Sequence, residues 1–167
     1  MKDVNISDVA QLVYDNIQNG FFLNSSDGEG NDNTMIIGWG GLLTMHGEKV
    51  FLVPVRHSRY TYQLLKNNGY FTVSIPLHPM NEAIKIAGTK SGRDISKFDN
   101  KNISKAKAQI VNVPIVKECE LHFECQIISQ ADMMPKTVVD ETANCYYSTG
   151  DYHTFFVGKI LKCYYTN

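Results

Sequence analysis

Residues 113–128 read VPIVKECELHFECQII, and their alternation decides how the rest of the chain is parsed. Ile115, Cys119, Leu121, Phe123, Cys125 and Ile127 fall on one face, with Glu118, Glu120, His122, Glu124 and Gln126 on the other. Successive side chains of a strand point to opposite faces, so this pattern predicts a strand with one face in a core and one in water. Half-buried strands of that kind belong to antiparallel sheets.

Working outward, the C-terminal run DYHTFFVGKILKCYY predicts a last strand, with Gly158 at a bulge or a close approach. Upstream, residues 89 to about 107 are polar and loop-like, with one helical turn expected at 95–98. MNEAIKIAG reads as a short helix ended by Gly88, and YFTVSIP as a strand closed by Pro76 and Pro79. SRYTYQLLKNNG predicts a helix capped by Ser58 and stopped by Gly69, with Tyr62, Leu64 and Leu65 inward. Residues 20–55 are short apolar runs broken by DGEGND and MHGEK, the texture of strands and tight turns. The opening ISDVAQLVYDNIQNG places Val9, Leu12, Val13 and Ile17 at helical spacing, between Ser7 as N-cap and Gly20 as stop.

These elements predict a mainly β fold, a small closed or nearly closed barrel with short helices at its margins. There is no βαβ rhythm and no internal repeat. One domain is expected over residues 1–167, with a helical segment at 1–20. Sixteen basic residues against seventeen acidic ones give a net charge of -1, which argues against a nucleic-acid partner held by general electrostatics. No apolar run reaches membrane-spanning length and MKDVNISDVAQ is not a secretory signal, so a cytoplasmic protein without membrane association is expected. A chain of this size needs no disulfide framework, and its four cysteines are expected as free thiols.

Three segments carry candidate chemistry. In VRHSRYTY (55–62) a strand runs into a helix start, where free N–H groups favour an anion. Arg56 and Arg59 add charge there, and Ser58 and Thr61 add neutral donors. The same octet reads equally as a capped helix with solvated arginines. GTKSGRDISK (88–97) combines two glycines with Ser91, Arg93 and Lys97, either a phosphate-binding loop or a flexible one, and it lacks P-loop spacing. NDNTMIIGWGG sets Asn33 and Thr34 before Trp39, whose flanking glycines suit a flat ligand or a barrel corner. Cys119, His122 and Cys125 lie on alternating faces of one strand and cannot close a tetrahedral metal site, so no metal is expected. His153 opens the last strand at a rim, as a ligand contact or a structural histidine. With no nucleophile elbow and no spaced carboxylate pair, a cofactor is expected to carry any redox or transfer chemistry.

Taken in order, NTMIIGWGG, VFLVPVRHSRYTYQLLKNNGYFTVSIP, GTKSGRD, PIVKECELHFEC and DYHTFFVGKI resemble the flavin reductase-like FMN-binding proteins, in particular their flavoredoxin-like branch. The resemblance implies a six-stranded antiparallel split barrel of Greek-key character, a homodimer with FMN near the subunit interface. It implies that Asn33, Thr34, Met35 and Trp39 line the flavin ring and ribityl chain. Arg56, Ser58, Arg59, Tyr60 and Thr61 would serve the phosphate and ribityl side, Ser91, Gly92 and Lys97 would close the phosphate pocket, and His153 would approach from the rim. The implied activity is that of an FMN-dependent oxidoreductase passing hydride or electrons from a reduced donor, NADH or NADPH, to a second substrate. An electron-transfer protein served by a redox protein partner and a non-redox FMN-binding module are the alternatives. The chain departs from its relatives' usual residues at His57, where proline is common, at Ala87, where cysteine is, and at Met45, near a common tryptophan.

Overall fold

The computed structural model describes residues 1–166. In chain order the elements are β1 (Lys2–Asp3), α1 (Ile6–Asn16), β2 (Phe21–Ser26), β3 (Asp32–Ile37), β4 (Gly41–Met45), β5 (Glu48–Arg56) and α2 (Tyr60–Asn68). They continue with β6 (Tyr70–Ile75), α3 (Asn81–Thr89), β7 (Lys105–Ala106), β8 (Ile115–Val116), β9 (Leu121–Asp132), α4 (Asp140–Tyr146) and β10 (His153–Tyr165). Among the described residues no helix is long and apolar enough to cross a membrane.

The main sheet runs β3-β2-β6-β9-β10-β5-β4, antiparallel throughout, and β1 adds to the far end of β10. The fold is mainly β, as expected. The sheet holds eight strands where six were expected, and its edges β3 and β4 are not hydrogen-bonded to each other, so the barrel stays split. The chain crosses that gap at Gly38, Trp39 and Gly40. Gly40 has φ +104°, and a Cβ there would run into the Leu52 carbonyl oxygen, so only glycine lets the crossing lie against β5.

The curled sheet encloses Phe51, Phe71, Phe123 and Phe156, all fully buried. Helix α1 adds Val9 and Val13 to the same core. Gly158 is both a bulge and a close approach: register shifts between Val157 and Gly158, and a Cβ there would strike the Phe71 ring. Helix α2 ends as the sequence predicts, with Gly69 at φ 77° and its N–H on the Leu65 carbonyl. All four cysteines are free, Cys145 exposed and the other three buried.

Four local expectations are corrected. Asn5, not Ser7, caps α1, its Oδ1 accepting the Ser7 N–H at 3.0 Å. Ser58 does not cap α2; the N-cap position is Arg59, and the serine is drawn to another partner. The single helical turn after α3 lies at Lys97–Asp99, two residues later than expected. The polar face of 118–126 meets water only in part: Gln126 is exposed and Glu118 and Glu120 are partly so, whereas His122 and Glu124 are both fully buried.

The cover over that face is residues 104–116. Glu124 accepts the backbone N–H groups of Gln109 (2.6 Å), Ile110 (2.8 Å) and Val111 (3.0 Å). Thr72 donates to the Pro114 carbonyl at 2.6 Å, and Ser74 Oγ accepts the Val116 N–H at 3.1 Å. His122 lies between Ser74 Oγ (3.1 Å) and the Cys119 carbonyl (2.9 Å), and burial lowers its pKa to about 4, leaving it neutral. The alternation is a strand only from Leu121 onward: Ile115–Val116 form β8 in a separate two-stranded sheet with β7, and residues 117–120, Cys119 among them, turn between the two. The far face of β9 at Glu124 is sealed by a hydrogen-bonded arm instead of solvent.

Candidate functional site

Where β3, the end of β5 and the start of β10 meet α2 and the end of α3, they enclose a cleft of about 490 Å³. That is the size of an ordinary cofactor or small-molecule pocket. Asn33 and Met35 come from β3, Arg56 from β5, and Ser58, Arg59, Tyr60 and Thr61 from the turn into α2. Ser91, Gly92, Arg93 and Lys97 come from the loop after α3, Trp39 from the crossing, and His153 from β10.

One end of the cleft is cationic. Lys97 is only 3% exposed, and its Nζ donates to the Thr34 carbonyl at 2.8 Å and the Ala87 carbonyl at 3.0 Å. The first acceptor is on the edge strand β3, and the second is among the orphan carbonyls that end α3. An ammonium has three protons, so one remains for a ligand. Burial, with Arg59 nearby, lowers the Lys97 pKa to about 8. The Arg59 guanidinium makes no hydrogen bond or ion pair with the described residues, and it stands at the N-cap of α2 beside that helix's unpaired N–H groups.

Gly92 sets how closely the loop approaches. A Cβ there would overlap Asn33 Oδ1 and come within 2.8 Å of the Tyr60 ring, so this loop can lie against β3 and α2 only with glycine. Asn33 Nδ2 donates to Thr61 Oγ1 at 2.8 Å, and Arg93 donates to the Ser58 carbonyl at 3.0 Å from above the Tyr60 ring. The loop, strand and helix start are thereby one unit.

The other end is built of rings. Trp39, 43% exposed, meets Tyr146 edge-on at 5.2 Å and His153 at 5.1 Å between centroids. His153 Nδ1 lies 2.9 Å from the Tyr147 hydroxyl, and the Tyr147 ring stacks on Tyr152 at 4.6 Å. Burial, with Arg56 nearby, lowers the His153 pKa to about 4, so the ring is neutral near pH 7.

The structure thus gathers twelve of the thirteen residues singled out from the sequence around one cleft, and Thr34 is the exception. Thr34 is fully buried, its Oγ1 unpartnered, and only its carbonyl serves the site, through Lys97. Two of the twelve are engaged elsewhere. Ser58 gives its N–H and its hydroxyl to the Asp151 carboxylate, at 3.2 and 2.6 Å. Arg56 donates to the carbonyls of Asp151 (2.7 Å) and Tyr146 (2.8 Å). His57 does not line the cleft; its ring hydrogen-bonds Thr154 Oγ1 at 2.9 Å and sits 3.5 Å from Asp132. Tyr146, Tyr147 and Asp151 were missed from the sequence, because no local pattern in that polar stretch ties it to residues 56–58.

The family model for the flavin reductase-like domain matches residues 14–167. A protein of Archaeoglobus fulgidus described as uncharacterised is 33% identical over 109 residues, covering 65% of this chain and 52% of that one. The chain spans about half the length of the curated relatives it matches. In structure it is similar to the flavoredoxin of Desulfovibrio vulgaris (Miyazaki F), with TM-score 0.70, 24% identity, and coverage of 89% of this chain and 69% of that one. It is also similar to an FMN-binding protein of Thermus thermophilus solved with bound 1-cyclohex-2-enone, with TM-score 0.66, 20% identity, and coverage of 87% and 68%. At these identities the structural likeness bears on the fold alone.

Proposed function

This chain belongs to the flavin reductase-like family, and we propose that its cleft holds FMN and that the protein is an oxidoreductase acting through it. The observation that carries this reading is the polarity of the cleft: a cationic end with unused donors faces an end walled by aromatic rings. A phosphate monoester joined to a flat heterocycle has that same polarity. The donor set fits the phosphate, since Lys97 keeps one N–H, Arg59 has no partner among the described residues, and glycine at 92 lets the loop lie close against Asn33 and Tyr60.

In this reading Lys97, Arg59 and the first N–H groups of α2 hold the phosphate, with Ser91 and Gly92 closing over it. Asn33, Met35 and Tyr60 flank the chain between phosphate and ring. Trp39 and His153 border the ring and keep water from it on that side. FMN, when bound, supplies the exchange of hydride or of single electrons, and the protein supplies position and electrostatics. The donor we propose is NADH or NADPH. Trp39 and Tyr146, 43% and 50% exposed at the mouth, support the further proposal that a second copy of the chain covers this rim; sedimentation of the purified protein reads that directly.

The test is a titration of the purified protein with FMN, followed by anaerobic mixing of the complex with NADH and NADPH. Tight binding and bleaching of the flavin band by one nicotinamide are expected. Bleaching only by a reduced ferredoxin-like donor would replace the reductase reading with electron transfer. Binding without any reduction would leave a storage module, and no binding would end the FMN reading.

A further inference from the structure

The ring end of the cleft contains a proton arrangement that the reading above does not use. His153 is 6% exposed, and its Nδ1 is 2.9 Å from the Tyr147 hydroxyl. Its Nε2 has no hydrogen-bond partner among the described residues, and His153 lines the cleft. Tyr147 is itself buried and packed by two neighbours: Tyr152 stacks on its ring at 4.6 Å and the Arg56 guanidinium lies 5.2 Å from the ring centroid.

Two proton placements satisfy that 2.9 Å contact, and they leave different remainders. If Nδ1–H donated to the phenol oxygen, the buried phenol proton would need a second acceptor, and the described residues offer none. If the phenol donates to Nδ1, its proton and the imidazole lone pair are both satisfied, and the ring proton goes to Nε2. An unmade buried donor is costly, so the second placement prevails. The charged or titratable groups around His153 are Arg56, Arg59, His57 and Asp151; burial and the arginines outweigh the carboxylate and keep the ring neutral.

We propose that Tyr147 is a positioning residue that locks His153 as its Nε2–H tautomer, so that the ring end presents a neutral hydrogen-bond donor to the ligand. A neutral donor selects an acceptor atom, such as a ring carbonyl or an imine-type nitrogen, without demanding negative charge. It therefore complements the charge-selecting end occupied by Lys97 and Arg59. The lock itself is a property of the ligand-free chain; only its direction toward the flavin rests on the FMN reading.

Long-range proton–nitrogen spectra of the histidine rings test it, with His153→Gln supplying the assignment. In the ligand-free wild type, Nε2 of His153 is expected in the protonated, pyrrole-like range and Nδ1 in the pyridine-like range. In Tyr147→Phe, which keeps the stacking ring, the two nitrogen signals are expected to move toward each other as the tautomers mix, and the His153 pKa to rise toward the ordinary value. Protonated Nδ1 in the wild type overturns the proposal whether or not the variant folds, as does an unchanged tautomer in a folded Tyr147→Phe. Addition of FMN is then expected to shift Nε2. Binding of FMN without that shift overturns the donor role, whereas failure of FMN to bind overturns the cofactor reading and leaves the tautomer result standing.

Discussion

The two ends of the cleft are built on opposite plans. At the cationic end the charged groups are under-satisfied by the protein: Arg59 has no partner among the described residues, and Lys97 has bonded two of its three protons. At the aromatic end the groups are tied to one another, Trp39 to Tyr146 and His153, His153 to Tyr147, and Tyr147 to Tyr152 and Arg56. The first end is left incomplete so that a ligand completes it, and affinity should come from there. The second is already assembled, so it should set orientation and electronics while contributing less binding free energy.

Substitutions separate these roles in order of size. Lys97→Met should weaken FMN binding most, by on the order of 100-fold, because it removes a buried charge-assisted donor; fluorescence titration measures it, and wild-type affinity would remove Lys97 from the phosphate site. Arg59→Ala should cost about tenfold, with a shallower salt dependence than the wild type, since Arg59 is solvent-exposed and screened.

The pH dependence is smaller again. The ligand-free Lys97 loses its proton as pH rises through about 8, whereas a bound phosphate holds that proton to higher pH. Binding therefore takes up a proton above pH 8, and affinity should fall there by up to about tenfold per unit; Lys97→Met should flatten the profile. Without ligand the sign reverses for stability. A folded pKa of about 8 against an ordinary 10.5 means that the unfolded chain binds more protons in between, so the wild type should gain thermal stability relative to Lys97→Met from pH 8 to 10.5. Trp39→Ala should change affinity least, within about threefold, while shifting the absorption bands of the bound flavin. An equally large affinity loss at Trp39 and at Lys97 would erase the contrast between the ends.

The cationic end was legible in the sequence because its parts are local. A strand, a turn with two arginines and a helix start follow one another in VRHSRYTY, and glycine-bounded GTKSGRD folds back as a loop. Thr34 could have been excluded by the same strand periodicity, since Asn33 and Met35 share a face that Thr34 cannot. The aromatic end was legible only in Trp39 and His153, and the wall behind them was not. It depends on Arg56 and Ser58 reaching partners 90 to 95 residues away, and no spacing rule links them. The sealed face of β9 was hidden for a related reason. Glu124 looks like a solvent-facing residue until residues 104–116 are folded over it, and His122 until Ser74 and the Cys119 carbonyl close on it. The alternation of Val111, Val113 and Ile115 marks an apolar face on that arm but does not say which strand it covers.

The rim carrying Tyr146 and Tyr147 leaves the sheet after β9 and rejoins it at β10, two strands that are already neighbours. Met133 N–H donates to the His153 carbonyl at 2.8 Å, which pins both ends of the excursion side by side. The ladder between β9 and β10 is therefore indifferent to the length and composition of what lies between. Residues 133–150 form a replaceable cassette: exchanging them would alter which molecules are welcomed at the ring end while the register of the barrel carries over, provided that Asp151 and Tyr152, which hold Ser58 and the His57 N–H at the turn into α2, stay in place.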